Sequence, residues 1–153
     1  MTHAQLETLL RSQVRGEVLP NEPLKERTTY RIGGPAQFLV CPLDLRDLIV
    51  LNGLIQTHRI PNFILGGGAN VLISDEGFPG VVIHLKNFNR LDFEGERVTA
   101  GAGLVLDHLV VCCLKRSLAR LQRLSGIPGT LGGALRMNAG AFDAEISDHL
   151  ETV

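Results

Sequence analysis

Short helical and extended segments follow one another along this 153-residue sequence, and that predicts a mixed α and β fold. Two observations carry the expectation. Apolar residues recur at three and four in residues 4–14, 44–58 and 105–117, the spacing of helices with one buried face. Between them lie apolar runs of four to six residues bounded by proline or glycine, at 36–41, 62–65 and 81–85, the length of buried strands.

Thr2 is placed to cap the first helix, on which Leu6, Leu9, Leu10, Gln13 and Val14 share a side. Gly16 to Pro23 is polar with two prolines and reads as a linker. Thr28 to Pro35 reads as a turn, followed by a strand Ala36–Cys41 that Pro42 ends. Asp44 caps a helix with Leu45, Leu48, Ile49 and Ile55 at helical spacing, running to His58. Asn62–Leu65 is a strand that empties into Gly66-Gly67-Gly68-Ala69-Asn70, and Val71–Ser74 reads as a further strand. A turn at Gly77–Gly80 precedes strands at 81–85, 91–93 and 97–100. Gly101-Ala102-Gly103 leads into a helix over 105–117 with Leu106, Leu109, Val110, Cys113 and Leu114 on one face. A second glycine cluster then runs from Ser125 to Gly133.

Composition narrows the function classes. A hydrophobic share of 44% with 20% charged residues describes a chain that packs a core. The net charge of −1 supplies no field to gather a phosphate backbone or an anionic lipid surface, so no nucleic-acid or membrane partner is expected. No apolar run approaches the roughly 18 residues of a membrane span, and the start lacks a basic-then-apolar signal, so the expected location is cytoplasmic. Three cysteines, two of them adjacent, make no disulfide framework, and Cys113 fits a buried helix face. Glycine stands out, with 17 residues against an ordinary share of about 7%.

Three successive glycines after a strand let backbone N–H groups turn inward on an anion such as a pyrophosphate, or simply make a tight connection. The segment is neither a dinucleotide fingerprint of the G-x-G-x-x-G type nor a G-x-x-x-x-G-K-[ST] loop. A second loop poor in side chains, considered with Gly101 and Gly103, favours two walls against one large planar or phosphorylated ligand over unrelated turns. His3, His58, His84, His108 and His149 show no paired ligand spacing, so no metal site is expected. Asp107 and His108 point about 100° apart on a helix and make no triad. Asp143, Glu145 and Asp148 read as a solvated acidic face, and Arg31 and Arg136 as surface arginines or contacts to ligand anions.

The stretches Thr28-Thr29-Tyr30-Arg31-Ile32-Gly33-Gly34-Pro35-Ala36, Leu65 to Asp75, Ser125 to Ala134 and Met137 to Ala141, in this order, resemble the UDP-N-acetylenolpyruvoylglucosamine reductases of peptidoglycan synthesis. The resemblance runs over roughly residues 15–153. It implies an α+β FAD-binding domain of the vanillyl-alcohol oxidase and para-cresol methylhydroxylase type, two lobes with the flavin between them. The expected boundaries are an N-terminal helix and linker at 1–20, a first lobe at 21–82 and a second, incomplete lobe at 83–153, with the C-terminal substrate domain absent.

Members of this family use NADPH to reduce the flavin, which passes hydride to the enolpyruvyl group of a sugar nucleotide; protonation of the neighbouring carbon gives UDP-N-acetylmuramate. Carried onto this sequence, main-chain groups of Gly66, Gly67, Gly68, Ala69, Asn70, Val71 and Leu72 hold the FAD pyrophosphate. Ser125, Gly126, Ile127, Pro128, Gly129, Thr130, Gly132 and Gly133 lie along the flavin, with Asn138, Ala139 and Gly140 nearby and Gly101 and Gly103 contributing. The first loop has no histidine, so FAD is expected to be non-covalent. Phe142 stands where Tyr is common, and Asp143-Ala144 where Gly-Gly is common. The family's catalytic arginine, serine and glutamate lie beyond the segment ending at Val153, so no catalytic residue is assigned here. Leu150–Val153 is expected to begin a strand that is cut off, and the unfinished sheet to promote self-association. The alternative is a catalytically inactive, truncated flavin-binding module.

Overall fold

The computed structural model describes residues 1–118 and 120–153. They form two compact units, Met1–Asn87 and Phe88–Val153, and each has its own hydrophobic core.

The first unit begins with helix α1 (His3–Gln13), closed by a capping box in which Gln5 N donates to Thr2 Oγ1 and Thr2 N to Gln5 Oε1. A sheet of β1 (Glu17–Pro23), β2 (Pro35–Cys41), β3 (Asn62–Leu65) and β4 (Phe78–His84) follows in the order β1-β2-β4-β3. Strand β1 is antiparallel to β2; β4 runs parallel to both β2 and β3. Helix α2 (Leu45–His58) crosses from β2 to β3, with Asp44 accepting from Asp47 N at its start.

Alternation along β2 feeds two cores: Phe38 and Val40 pack with Leu10, Leu51 and Ile55, while Leu39 and Cys41 pack with Leu24, Leu65 and Val82. Both faces are covered, which is why β2 reads as a continuous apolar run. At the junctions the buried Asp47 carboxylate accepts from Arg15 N and Gly16 N at 2.8 Å and from Leu43 N at 2.9 Å.

The second unit opens with the hairpin β5 (Leu91–Glu94) and β6 (Arg97–Ala100), turned by Gly95 at φ 60° and Glu96. Helix α3 (Leu106–Leu114) buries Leu106, Leu109, Val110 and Cys113 against Leu124, Leu131, Ala134 and Ile146. Helix α4 (Leu131–Met137) and a small hairpin, β7 (Gly140–Ala141) and β8 (Ala144–Glu145), complete it, with 3-10 turns at Leu121–Leu124 and Ile146–His149.

Several expectations need correction. Residues 17–23 are an edge strand and not a linker; Pro20 and Pro23 are tolerated because an edge strand need not donate on its outer side. Val71–Ser74 is no strand: Ser74 O accepts from Gly34 N (2.8 Å) and Gly77 N (2.9 Å), so its acceptor capacity goes to a turn and a neighbouring loop. Strand β4 begins at Phe78 rather than Val81, through its pairing with Ala36. On α2, Leu45 and Ile49 face solvent at 64% and 63% exposure, and Leu51 and Ile55 are the buried pair. Helix α3 stops at Leu114, which is exposed; Arg116 N and Ser117 N bond three residues back, and Ser117 turns left-handed at φ 61°. Leu150–Val153 takes no strand pairing, and Glu151 instead pairs with Arg97. Among the described residues no helix is long and apolar enough to cross a membrane.

Candidate functional site

The first glycine loop is fixed by backbone contacts. Strand β3 ends at the fully buried Leu65, and Gly66 to Asn70 turn away from it. Gly68, at φ 65°, donates nothing to this fixation but accepts from Thr29 N at 3.0 Å, and a β-carbon on it would collide with Arg27 O. A β-carbon on Gly33 would come within 2.7 Å of Ile73 Cβ, and one on Gly34 would strike Asp75 O. At Gly34 and Gly68 the chain thus packs main chain against main chain, which accounts for glycine at these two positions. Leu72 is left 74% exposed beside a buried Ile73.

Beneath this loop His84 ends β4 opposite Leu65, half-buried, with Nδ1 4.0 Å from Cys41 Sγ. Burial holds its imidazole below the ordinary histidine value, and Arg27 and Lys86 add to that, against a hydrogen bond to the Gly66 backbone and the Glu17 carboxylate. His84 looked unpaired in the sequence; only the parallel register of β3 and β4 brings it to the loop.

In the second unit the expected residues do come together. Leu106 N donates to Gly129 O (3.1 Å), Leu131 N to Leu104 O (2.8 Å) and Gly132 N to Ala102 O (2.8 Å), and Val105 bridges Thr130. Gly101 and Gly103 bond to Arg90 O and Phe88 O and make the turn against which this ladder forms. At the other end of the loop, Asp107 Oδ1 accepts from Ser125 Oγ and Gly126 N, each at 3.2 Å. Nothing in the sequence neighbourhood of Asp107 announces a partner eighteen residues on.

Asn138, left-handed at φ 45°, ends α4, and its side chain bonds Ser147 N and Glu145; Ala139 N donates to Ala134 O (2.8 Å), Ala139 O accepts from Ile146 N (2.9 Å), and Gly140 pairs with Glu145. Phe142 and Asp143 are both left-handed, at φ 52° and 59°, as a two-residue hairpin turn between β7 and β8 requires, so this turn forms without the family's glycines. A cavity of about 630 Å³ beside it is bordered by Asp143, Glu145 and Asp148, the wrong sign for phosphate. Glu145 and Asp148 also cap the turn at Ile146. Arg31 and Arg136 are exposed and join no ion pair among the described residues. No cluster of three metal-ligating side chains occurs among the described residues.

Two features of the second loop fit a large cofactor such as FAD. Thr130 Oγ1 is buried and has no hydrogen-bond partner, an orphaned hydroxyl at the start of α4. Gly133 costs helix stability, yet a β-carbon there would meet only Thr130 Oγ1, at 3.5 Å, so the protein's own packing does not demand glycine. A ligand lying against α4 would supply the reason for both.

Comparison with known proteins agrees. The FAD binding domain family matches residues 36–153. The UDP-N-acetylenolpyruvoylglucosamine reductase of Geobacter metallireducens is 43% identical over 148 residues, covering 96% of this chain and 49% of the relative. That of Carboxydothermus hydrogenoformans is 40% identical over 154 residues, covering 100% of this chain and 51% of its own length. The chain therefore spans about half the length of the curated relatives it matches. A crystal structure of the Thermus caldophilus enzyme of the same name (MurB) superposes with a TM-score of 0.68 at 36% identity, over 88% of this chain and 46% of that one. Alkyldihydroxyacetonephosphate synthase shares the fold, with a TM-score of 0.56 at 19% identity over 77% of this chain and 24% of its own. With the glycine loops, the mixed helix and strand content and the matched residues in agreement, the chain belongs to the FAD-binding domain family, within which it is similar to the UDP-N-acetylenolpyruvoylglucosamine reductases.

Proposed function

We propose that this chain is the flavin-binding portion of an NADPH-dependent reductase that converts UDP-N-acetylglucosamine enolpyruvate to UDP-N-acetylmuramate in peptidoglycan synthesis. The orphaned Thr130 hydroxyl beside the unneeded glycine at 133 is the observation that carries the binding half of this reading. Similarity to reductases of that name carries the other half.

In this reading the lobes lie at 21–82 and 83–153. Main-chain N–H groups of Gly66 to Leu72 hold the FAD pyrophosphate. Gly101, Gly103, Ser125 to Thr130, Gly132 and Gly133 line the flavin, with Thr130 Oγ1 gaining its missing partner. Asn138, Ala139 and Gly140 lie nearby, with the Asn138 amide engaged by Glu145 and Ser147. FAD stays non-covalent because Gly66 to Asn70 offer no nucleophilic ring nitrogen. The chemistry FAD supplies when bound is hydride transfer, from NADPH to the enolpyruvyl double bond of a sugar nucleotide. The residues of this chain bind and orient; no proton donor to the substrate carbon is assigned among them.

Titration of the purified chain with FAD, followed by visible absorbance, tests the reading. Saturable binding that a bulky Gly67 variant weakens is expected, and a chain that holds no flavin sinks it. Consumption of NADPH on addition of the enolpyruvyl sugar nucleotide separates a working reductase from the flavin-binding module without turnover. Cytoplasmic residence and self-association through open strand edges complete the proposal; among the described residues β5 and β6 pair only with each other.

A further inference from the structure

We propose that Asp107 holds the second glycine loop in its ligand-ready shape before any ligand arrives. That the ligand is FAD rests on the function proposed above; the holding of the loop does not.

The loop is anchored unequally at its two ends. From Gly129 onward it is tied by main-chain bonds to the turn before α3, through Leu106 N to Gly129 O, Leu131 N to Leu104 O and the Val105–Thr130 bridge. From Ser125 to Pro128 the main chain has, among the described residues, two local bonds, Ser125 N to Gln122 O and Ile127 N to Leu124 O, the latter at 3.3 Å. Gly126 sits at φ 80° with nothing within 4 Å of the place a β-carbon would take, so no packing confines the residue with the widest conformational choice. Asp107 supplies the tie there: one carboxylate oxygen accepts both the Ser125 hydroxyl and the Gly126 N–H. Its mount is firm, because Leu106 beside it is fully buried and Leu109 and Val110 pin the same helix into the core. Asp107 itself is exposed and acts through Ser125 and Gly126, which makes it a positioning residue. A loop that is competent only part of the time binds with an affinity reduced by that fraction, so the tie is worth affinity without touching the ligand.

The test uses Asp107→Ala and Asp107→Asn in the whole chain, with amide hydrogen exchange across 125–130 and FAD titration. Asp107 is exposed at a helix start, so both variants are expected to keep the wild-type far-ultraviolet circular dichroism. In Asp107→Ala the Gly126 amide should exchange roughly tenfold faster while amides of α3 do not change. The FAD dissociation constant should rise about tenfold, with the flavin band shifting toward that of free FAD. Asp107→Asn keeps an oxygen acceptor and should stay within about twofold of wild type in both readouts. Unchanged exchange in Asp107→Ala overturns the proposal, as does an Asn variant that fails as badly as Ala. Should wild type bind no FAD while Gly126 exchange still responds, the proposed function falls and the loop-holding stands. FAD binding and exchange both indifferent to Asp107→Ala give the reverse.

Discussion

His84 shows how one side chain can tie the first glycine loop to solution pH. Burial, together with Arg27 and Lys86, keeps its folded pKa below the unfolded value of about 6.5. The folded state then binds fewer protons than the unfolded one, so the His84 contribution is fully present above that pH and is lost as pH falls through the folded value. Urea midpoints at pH 7.5 and 5.5 should therefore fall more in wild type than in His84→Gln, whose amide cannot take up a charge. Equal falls in the two proteins would remove His84 from the account. Asp47 works in the same direction at lower pH. Its buried carboxylate is disfavoured by desolvation, but the N–H groups of Leu43, Arg15 and Gly16 outweigh this and hold it below the usual aspartate range. Its stabilisation is complete above about pH 4 and fades as acid protonates it.

At the scale of the element, the legible parts of the sequence are those whose signal is local. Helix α1 declares itself by Thr2 and a three-four apolar spacing, α2 by Asp44, and β3 and β6 by short runs between turn residues. Strand β1 is hidden because its two prolines are compatible with a strand only at a sheet edge, a fact of assembly. Helix α4 is hidden by Gly132 and Gly133, both poor helix formers within its first turn. The same helix offers a two-sided prediction. Gly133→Ala has room in the protein and should raise stability by up to about 1 kcal/mol. If a flavin lies against α4, the same methyl should weaken FAD binding severalfold. Thermal melts and FAD titration read the two effects separately, and a stabilised variant with unaltered affinity would place the ligand elsewhere. As for the site, the glycine loops are visible as strings of letters, but the ties that shape them are not: Gly126 to Asp107 and Thr29 to Gly68 connect residues through tertiary packing.

For the molecule as a whole, the glycine excess divides into two kinds. A β-carbon on Gly16, Gly34, Gly68, Gly77, Gly80 or Gly101 would collide with a backbone carbonyl of this same chain. These residues serve close main-chain packing, so the excess is larger than any ligand requires. In the second loop Gly126 is called for by its own φ of 80°, and Gly133, with neither a clash nor a positive φ, is the glycine that a ligand would explain. The proposed self-association is also read at this scale. Size-exclusion chromatography should give an apparent mass above the 16.6 kDa of one chain, growing with concentration, and a clean monomer at all concentrations would contradict it. The thiols differ as sharply as the glycines. Burial pushes Cys41 and Cys113 up from the ordinary thiol value and shields them, whereas Cys112 lies on the outer side of α3, 3.4 Å from His108 Nε2. It sits about 140° round the helix from Asp107. An alkylating fluorophore would thus settle on a single sulfur of the unaltered protein, riding the helix that steers the loop without obstructing it, and quenching by an arriving flavin would report occupancy as light.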